Sequence, residues 1–278
     1  MSINTVKVNV NKKYAKLKEI LQSFQRVVIA YSGGVDSVFL LKAALDALAE
    51  ENVLACIGVS ESLARREYDS ACRLAQNMGV QVEVVRPQEL SDPDYVANPP
   101  TRCFHCKSHL YQLLNEIAQQ RNYDAVLCGT NADDKNDFRP GLEAARKFNV
   151  ISPLEQADLT KNDIRTLSKQ LGLPTWDKPA QPCLASRMPY GLTITPGRLQ
   201  QIEQGEAYLR SLGLTELRVR HHDNLVRIEV PADKISGLLK NDQSSQIVTF
   251  FKKLGFTYVT LDLQGFRSGS ANEMLQKK

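Results

Sequence analysis

Four short runs in which nearly every position is apolar, Val27 to Tyr31, Val53 to Val59, Val82 to Val85 and Ala125 to Cys128, punctuate the first half of the chain. Between them, over 37 to 50, 63 to 78 and 106 to 120, the pattern is helical. Continuous apolar runs suit strands buried on both faces, and a three-to-four repeat suits helices with one buried side. Their alternation predicts a parallel sheet with helices on both faces, a fold that binds ligands beyond the carboxyl ends of its strands. A helix over 11 to 24, with Tyr14, Leu17, Ile20 and Leu21 on one face, precedes the first strand. A fifth short strand at Val150 to Ile151 and a helix from Lys161 to Leu171, capped by Thr160, follow the fourth. The expected fold class is therefore α/β with a five-stranded parallel sheet.

Residues 174 to 197, "PTWDKPAQPCLASRMPYGLTITPG", hold five prolines and two glycines and break all periodicity. Such a segment is a functional loop or an interdomain linker. It divides a first domain, 1–187, from a smaller α/β domain, 195–278. The second is expected to carry a helix opened by Thr195-Pro196 and running to about Leu212, strands at 217–221 and 225–230, helices near 232–240 and 244–253, and a strand at 257–262. The last dozen residues are expected to be frayed.

Composition narrows the class of function. With 42% apolar and 24% charged residues the chain reads as an ordinary globular protein, and no apolar stretch reaches the ~18 residues that span a membrane. The opening "MSINTVKVNVNKKYAKLKEI" lacks the apolar centre of a signal peptide, so a cytoplasmic location is expected. The net charge of +4 is small and spread, which argues against a dedicated nucleic-acid binder and for a small anionic substrate. Six cysteines in such a chain are not expected to form disulfides. Cys56 and Cys128 in strand-like runs and Cys72 in a helical run read as small core hydrophobes.

The first strand runs into Ser32-Gly33-Gly34-Val35-Asp36-Ser37 and then directly into a helix. Glycines let the backbone bend and approach a ligand, and the helix's first N–H groups face it, which is the arrangement that binds phosphate. Ser32 and Ser37 add hydroxyl donors, and Asp36 can cap the helix or hold Mg²⁺ between phosphates. There is neither a Walker A loop nor a G-x-G-x-x-G fingerprint. The S-G-G-x-D-S pattern instead resembles the pyrophosphatase loop (PP-loop) of the N-type ATP pyrophosphatases, which implies an adenine nucleotide alpha-hydrolase-like fold and adenylation of an oxygen by ATP. Polar groups at two further strand ends agree: Ser60 and Asn131 are candidate ATP contacts, and Asp133 or Asp134 a candidate metal ligand.

"NPPTRCFHCKSHLY" sets Cys103-x-x-Cys106 just ahead of the predicted helix, and "QPCLASR" sets Cys183 in the Pro-rich loop, 77 residues later. The pair alone suits a redox dithiol, half a zinc site or part of an iron–sulfur site. Zinc would need a fourth ligand, which His105 or His109 could supply. Three thiolates without a fourth suit a [4Fe–4S] cluster with one iron open to sulfide. Cys183 has a second reading as a nucleophile, since Lys178 and Arg187 lie close in sequence and cations favour the thiolate.

At this point the chain resembles a known family along nearly its whole length: the LarE ATP-dependent sulfur insertases, which act on pyridinium-3,5-biscarboxylic acid mononucleotide. "YSGGVDS", "VSESLARRE", "GTNADD", "FRPGLEAA", "KPAQPCLASR", "PYG" and "LRVRHH" carry the resemblance, the fifth most specifically. It implies Mg-ATP adenylation of a substrate carboxylate, then sulfur insertion, in the synthesis of a nickel-pincer nucleotide cofactor. Cys183 matches the cysteine that, in single-cysteine members, forms a thioester and gives up its sulfur. With Cys103 and Cys106 present, the chain looks like the three-cysteine subgroup, in which the three thiolates hold a [4Fe–4S] cluster and sulfur comes from the open iron. Phe104 falls where single-cysteine members have an aromatic residue near the substrate. Ser186 and Arg187 follow the key cysteine, Arg218 and Arg220 match arginines placed for the substrate phosphate, and Glu206 and Glu229 match acidic positions near that site. Residues i and i+2 of a strand point to one face, so two guanidinium forks could clamp one phosphate. Members of the family form homo-oligomers, so one is expected here.

The leading expectation is thus an ATP-dependent sulfurtransferase with ATP, Mg²⁺ and a [4Fe–4S] cluster as cofactors, a small mononucleotide substrate and an unidentified sulfur donor. A tRNA thiolase sharing the phosphate loop is the alternative, together with sacrificial donation from Cys183. A third reading, outside enzymes, is a nucleotide-binding regulatory or iron–sulfur carrier protein.

Overall fold

A computed structural model describes residues 3–136, 140–239 and 242–267. Along the chain come α1 (Ile3–Gln22), β1 (Val27–Ala30), α2 (Val35–Ala47), β2 (Val53–Gly58), α3 (Arg65–Asn77) and β3 (Val82–Val85). These are followed by α4 (Pro93–Val96), α5 (Arg102–Gln120), β4 (Ala125–Leu127), α6 (Pro140–Lys147), α7 (Pro153–Gln156) and α8 (Lys161–Gln170). The remainder holds α9 (Pro196–Ser211), β5 (Arg218–His222), β6 (Leu225–Glu229), α10 (Ala232–Leu238), α11 (Gln243–Lys253) and β7 (Tyr258–Leu261). From 268 on, the C-terminal stretch expected to be frayed lies outside the described residues, as do Phe138 and Arg139 of "FRPGLEAA". Two compact units emerge, one of Met1–Asp92 and Thr101–Gln181, the other of Pro93–Pro100 and Pro182–Lys278. Residues 182 to 187, taken with the first domain from sequence, group with the second unit.

The first unit is the predicted α/β layer. Its strands are all parallel in the order β3-β2-β1-β4. Successive side chains of a strand face opposite ways, and β1 shows it: Val27 and Ile29 join an apolar cluster with Leu17, Leu21, Phe39 and Leu41, whereas Val28 joins Cys56, Tyr111, Leu114 and Val126 on the other face. A strand covered on both sides has no polar position to spare, hence its unbroken apolar run. The fifth strand shrinks to one rung, Leu127↔Ile151. Asn149 is in the left-handed region (φ 52°) and Pro153 opens α7, so only Val150 and Ile151 are left to extend. The central sheet therefore has four strands. Thr160 caps α8 as expected, in a reciprocal box with Asp163.

The second unit centres on a three-stranded sheet, β5-β6-β7, with β5 and β6 antiparallel and β7 parallel to β6. Pro196 opens α9 and Thr195 caps it, its side chain accepting from the Arg198 N–H. Leu209, Val219, Val226, Ile228 and Phe251 are buried in its core. The 93–100 segment is strapped to this unit by Asn98, whose side-chain amide donates to the carbonyls of Pro189 and Leu192.

Candidate active site

In the first unit the chain order reverses between β1 and β4, and the crevice at such a switch point is where open α/β sheets bind ligands. The Ser32–Ser37 loop leaves β1 there. Gly33 has φ +68°, and a Cβ on it would fall 2.5 Å from the Ala71 Cβ, so both conformation and space demand glycine. Gly34 is the N-cap of α2, and no side chain caps the first amides, leaving them for an anion. Ser32 and Ser37 hydroxyls lie 3.0 Å apart, the Ser32 N–H donates to Ser37 Oγ and Ser37 Oγ donates to the Gly34 carbonyl, which holds the loop open around its own backbone. Gly129, after β4, crosses this turn so closely that a Cβ would lie 3.0 Å from the Ser37 nitrogen.

The other proposed nucleotide contacts occupy the same sheet edge. Asn131 is buried; its Oδ1 accepts from the Asp133 N–H, and its own N–H donates to Asp134 Oδ2. At the end of β2, Ser60 Oγ lies 2.9 Å from Ser62 Oγ, which donates to the buried Glu89. For three groups at this edge the sequence gives no pointer to a nucleotide-site role. Glu89 is one. Lys161 Nζ lies 2.5 Å from Asp36 Oδ2, while the Lys161 N–H donates to Asp133 Oδ2 at 2.8 Å. Lys178 Nζ donates to the Gly33 carbonyl at 3.2 Å and pairs with Glu67 at 2.9 Å. The charge of Lys178, which the sequence sets five residues before Cys183, is thus engaged at the phosphate loop. Asp36 and Asp133 offer the hard oxygen donors that Mg²⁺ prefers, so the residues fit that ion.

Cys103 and Cys106 do not precede the helix but are the second and fifth residues of α5, because the helix starts at Arg102. Residues three apart on a helix are neighbours on one side. Cys103 is exposed and Cys106 half-buried, so two adjacent thiols face accessible space, a donor set that fits an iron–sulfur cluster. Phe104 between them is half-buried against the second apolar cluster, with the Lys147 ammonium 5.5 Å from its ring. His105 and His109 both turn to Asp92, at 3.5 and 3.1 Å. Cys56 is buried, and burial pushes its thiol up to about 12, the behaviour of an inert core thiol. Cys128 is buried and Cys72 half-buried, and none of the six cysteines is in a disulfide.

In the second unit Cys183 is exposed at the start of a short 3₁₀ turn, Leu184–Arg187. Arg187, only 3% exposed, shapes that turn: its Nη1 donates to the carbonyls of Pro182 and Cys183 (2.9 Å for the latter) and to Ser186 Oγ, while its Nε donates to Glu206 Oε1 at 2.9 Å. Burial alone would raise the Glu206 carboxyl, but the charge and hydrogen bonds of Arg187, with Arg210 and Arg218 behind, outweigh it and hold the group below the usual carboxylate range. Arg220 grips Glu229 with Nε and Nη2, both at 3.0 Å, and donates through Nη1 to the Ser186 carbonyl. Arg218 donates to the Leu217 carbonyl and lies 5.0 Å from the Phe266 ring; burial and the neighbouring Arg187 pull its pKa down to about 10. The two arginines share one face of β5, but the fork of Arg220 is already engaged with Glu229. Six of the predicted positions, Cys183, Ser186, Arg187, Glu206, Arg220 and Glu229, thus form one hydrogen-bonded group around the thiol turn.

A model of the PP-loop domain matches residues 6–138. An uncharacterized protein of Synechocystis is 43% identical over 95% of this chain and 98% of its own length. The pyridinium-3,5-bisthiocarboxylic acid mononucleotide synthase of Lactiplantibacillus plantarum is 42% identical over 95% of each chain. A tRNA-specific 2-thiouridylase of Desulforamulus reducens is 25% identical over 56% of this chain and 53% of its own.

Proposed function

Because the chain belongs to the family of the pyridinium-3,5-bisthiocarboxylic acid mononucleotide synthases, we propose that it uses ATP to exchange carboxylate oxygen for sulfur on a pyridinium mononucleotide, as a step toward a nickel-pincer cofactor. The observation that carries this reading is end-to-end similarity to that synthase, spanning both the phosphate loop and the thiol turn. A carboxylate oxygen of the substrate attacks the α-phosphorus of ATP and pyrophosphate leaves, assisted by the α2 amides and the hydroxyls of Ser32 and Ser37. Sulfur then attacks the acyl carbon, and AMP departs with the oxygen. Mg²⁺, held by Asp36, neutralises the polyphosphate when bound.

The sulfur-bearing group we assign to Cys103, Cys106 and Cys183 together. When bound there, a [4Fe–4S] cluster supplies an iron without a protein ligand, on which sulfide can be carried. Three thiolates without a fourth favour this over a zinc site, which would need His105 or His109 as its last ligand. Arg187 orients the Cys183 turn through backbone carbonyls, and Arg218 and Arg220 offer positive charge to the substrate phosphate. Nucleotide chemistry belongs to the first domain and substrate recognition to the second, and the working form is a cytoplasmic homo-oligomer. Similarity to the thiouridylase is confined to about half of the chain, which supports a shared phosphate loop rather than a tRNA substrate.

Anaerobic reconstitution with iron counting, followed by mass spectrometry after turnover, tests the assignment. Four irons per chain, an intact Cys183 and several products per chain are expected. Loss of sulfur from Cys183 with a single product would make it the sacrificial donor, and a protein that takes up only zinc would overturn the cluster.

A further inference from the structure

Lys161 is a cation at the phosphate loop paired with the carboxylate assigned to the metal. Its ammonium lies 2.5 Å from Asp36 Oδ2, and its backbone N–H holds Asp133 Oδ2. One residue therefore engages both oxygen donors suited to a divalent cation. The pair is not sealed in: the Lys161 and Asp36 side chains keep 37% and 23% of their exposure. The backbone beneath Lys161 is fixed by the Thr160–Asp163 capping box and by Lys13 on Asp163 at 2.9 Å. Only the flexible four-carbon stem has to move for the ammonium to change partner.

We propose that Lys161 is an internal counter-ion that holds Asp36 in the nucleotide-free protein, gives the carboxylate up to the incoming divalent cation, and moves its charge onto the ATP phosphates. The proposal rests on the ATP site described above. Two cations competing for one carboxylate make metal binding weak when no nucleotide is present. ATP removes the competition by offering the ammonium a new anion, so metal and nucleotide each strengthen the other's binding.

Mn²⁺ serves as the probe, followed by electron paramagnetic resonance on the full chain. Lys161→Gln should bind Mn²⁺ about two- to fivefold more tightly than the parent without nucleotide, the range that an exposed ion pair supports. The same variant should bind ATP about tenfold more weakly at saturating Mn²⁺, through loss of a charged contact. Unchanged or weaker Mn²⁺ binding in Lys161→Gln would overturn the proposal. Acylation of lysines by acetic anhydride, read by mass spectrometry on the parent protein, decides the matter without a variant. Labelling of Lys161 should rise about two- to fivefold with Mg²⁺ alone and fall below its metal-free level with Mg-ATP. If ATP binds but Mg²⁺ leaves Lys161 labelling unchanged, the counter-ion role is wrong; if the parent binds no ATP at all, the nucleotide site itself is wrong.

Discussion

Replacing Gly33 by alanine tests whether the loop after β1 is built as described. At φ +68° a side chain is strained by about 1–2 kcal/mol. The new Cβ would also meet the Ala71 Cβ at 2.5 Å, roughly 1 Å inside ordinary contact, so α3 or the loop must move by about that much at a further cost of about 1–2 kcal/mol. The sum is about 3 kcal/mol, or ~6–12 °C in Tm for a unit of this size. Because the loop carries the amides that face the phosphates, a displacement of about 1 Å should lower the rate of pyrophosphate release by ~100-fold. The assay is urea unfolding and pyrophosphate release for Gly33→Ala, Ala71→Gly and the double variant. Ala71→Gly alone loses about 1 kcal/mol as a glycine in a helix. In the double variant the Cβ clash is gone although the Ala71 Cα remains 2.9 Å away, so a favourable coupling of about 1–2 kcal/mol should appear. Strict additivity, or a Gly33→Ala protein within about 0.5 kcal/mol of the parent, would refute the close approach of α3 to the loop.

Three further outcomes follow from named contacts. Glu206→Gln leaves the buried Arg187 and its neighbours without their counter-charge and should cost about 3 kcal/mol in urea unfolding, with loss of sulfur transfer as the Cys183 turn loosens. His221 is buried; its Nδ1 accepts from the Asp223 N–H, so Nε2 carries the proton and donates to Gln201 Oε1. Burial, then the charge of Arg198, pulls its pKa from 6.5 to about 4. Below pH 6.5 the unfolded chain takes a proton that the folded one refuses, so this stability is complete above 6.5 and declines as pH falls through about 4; His221→Gln should flatten that decline in melts between pH 7 and 4. Thr160→Ala removes one side of the α8 capping box and should cost about 1 kcal/mol, measured by thermal unfolding.

The Ser32–Ser37 loop was legible because its chemistry and backbone demands fall on consecutive residues: two glycines, two hydroxyls and an acid between a strand and a helix. The alternation of strands and helices was legible for the same local reason. Val150 and Ile151 were over-read as a strand, since apolar character does not reveal that Asn149 turns left-handed just before them and Pro153 starts a helix just after. The α5 helix begins at Arg102, four residues before its periodicity becomes visible, because a cysteine pair within a polar stretch gives little helical pattern, and so Cys103 and Cys106 look from sequence as if they precede the helix that carries them. For Glu89, Lys161 and the partner of Lys178 the sequence gives no pointer to a nucleotide-site role. A lone lysine or glutamate looks like any surface charge until the fold sets it 2.5 to 3.3 Å from a loop distant in sequence.

By itself, then, the sequence determined the α/β layer, the phosphate-binding loop and the three thiols of interest, because each is encoded by periodicity or by a short contiguous motif. Tertiary structure decided how the charges are partnered. It gave Lys161 to Asp36, Lys178 to the Gly33 carbonyl, Arg187 to Glu206 and Arg220 to Glu229, pairs separated by 125, 145, 19 and 9 residues. The physical reason is one of range: backbone preference and side-chain burial act over a few residues and leave a local trace. An ion pair depends on where two distant segments meet, and that is fixed only when the sheet order β3-β2-β1-β4 and the β5-β6 ladder have formed.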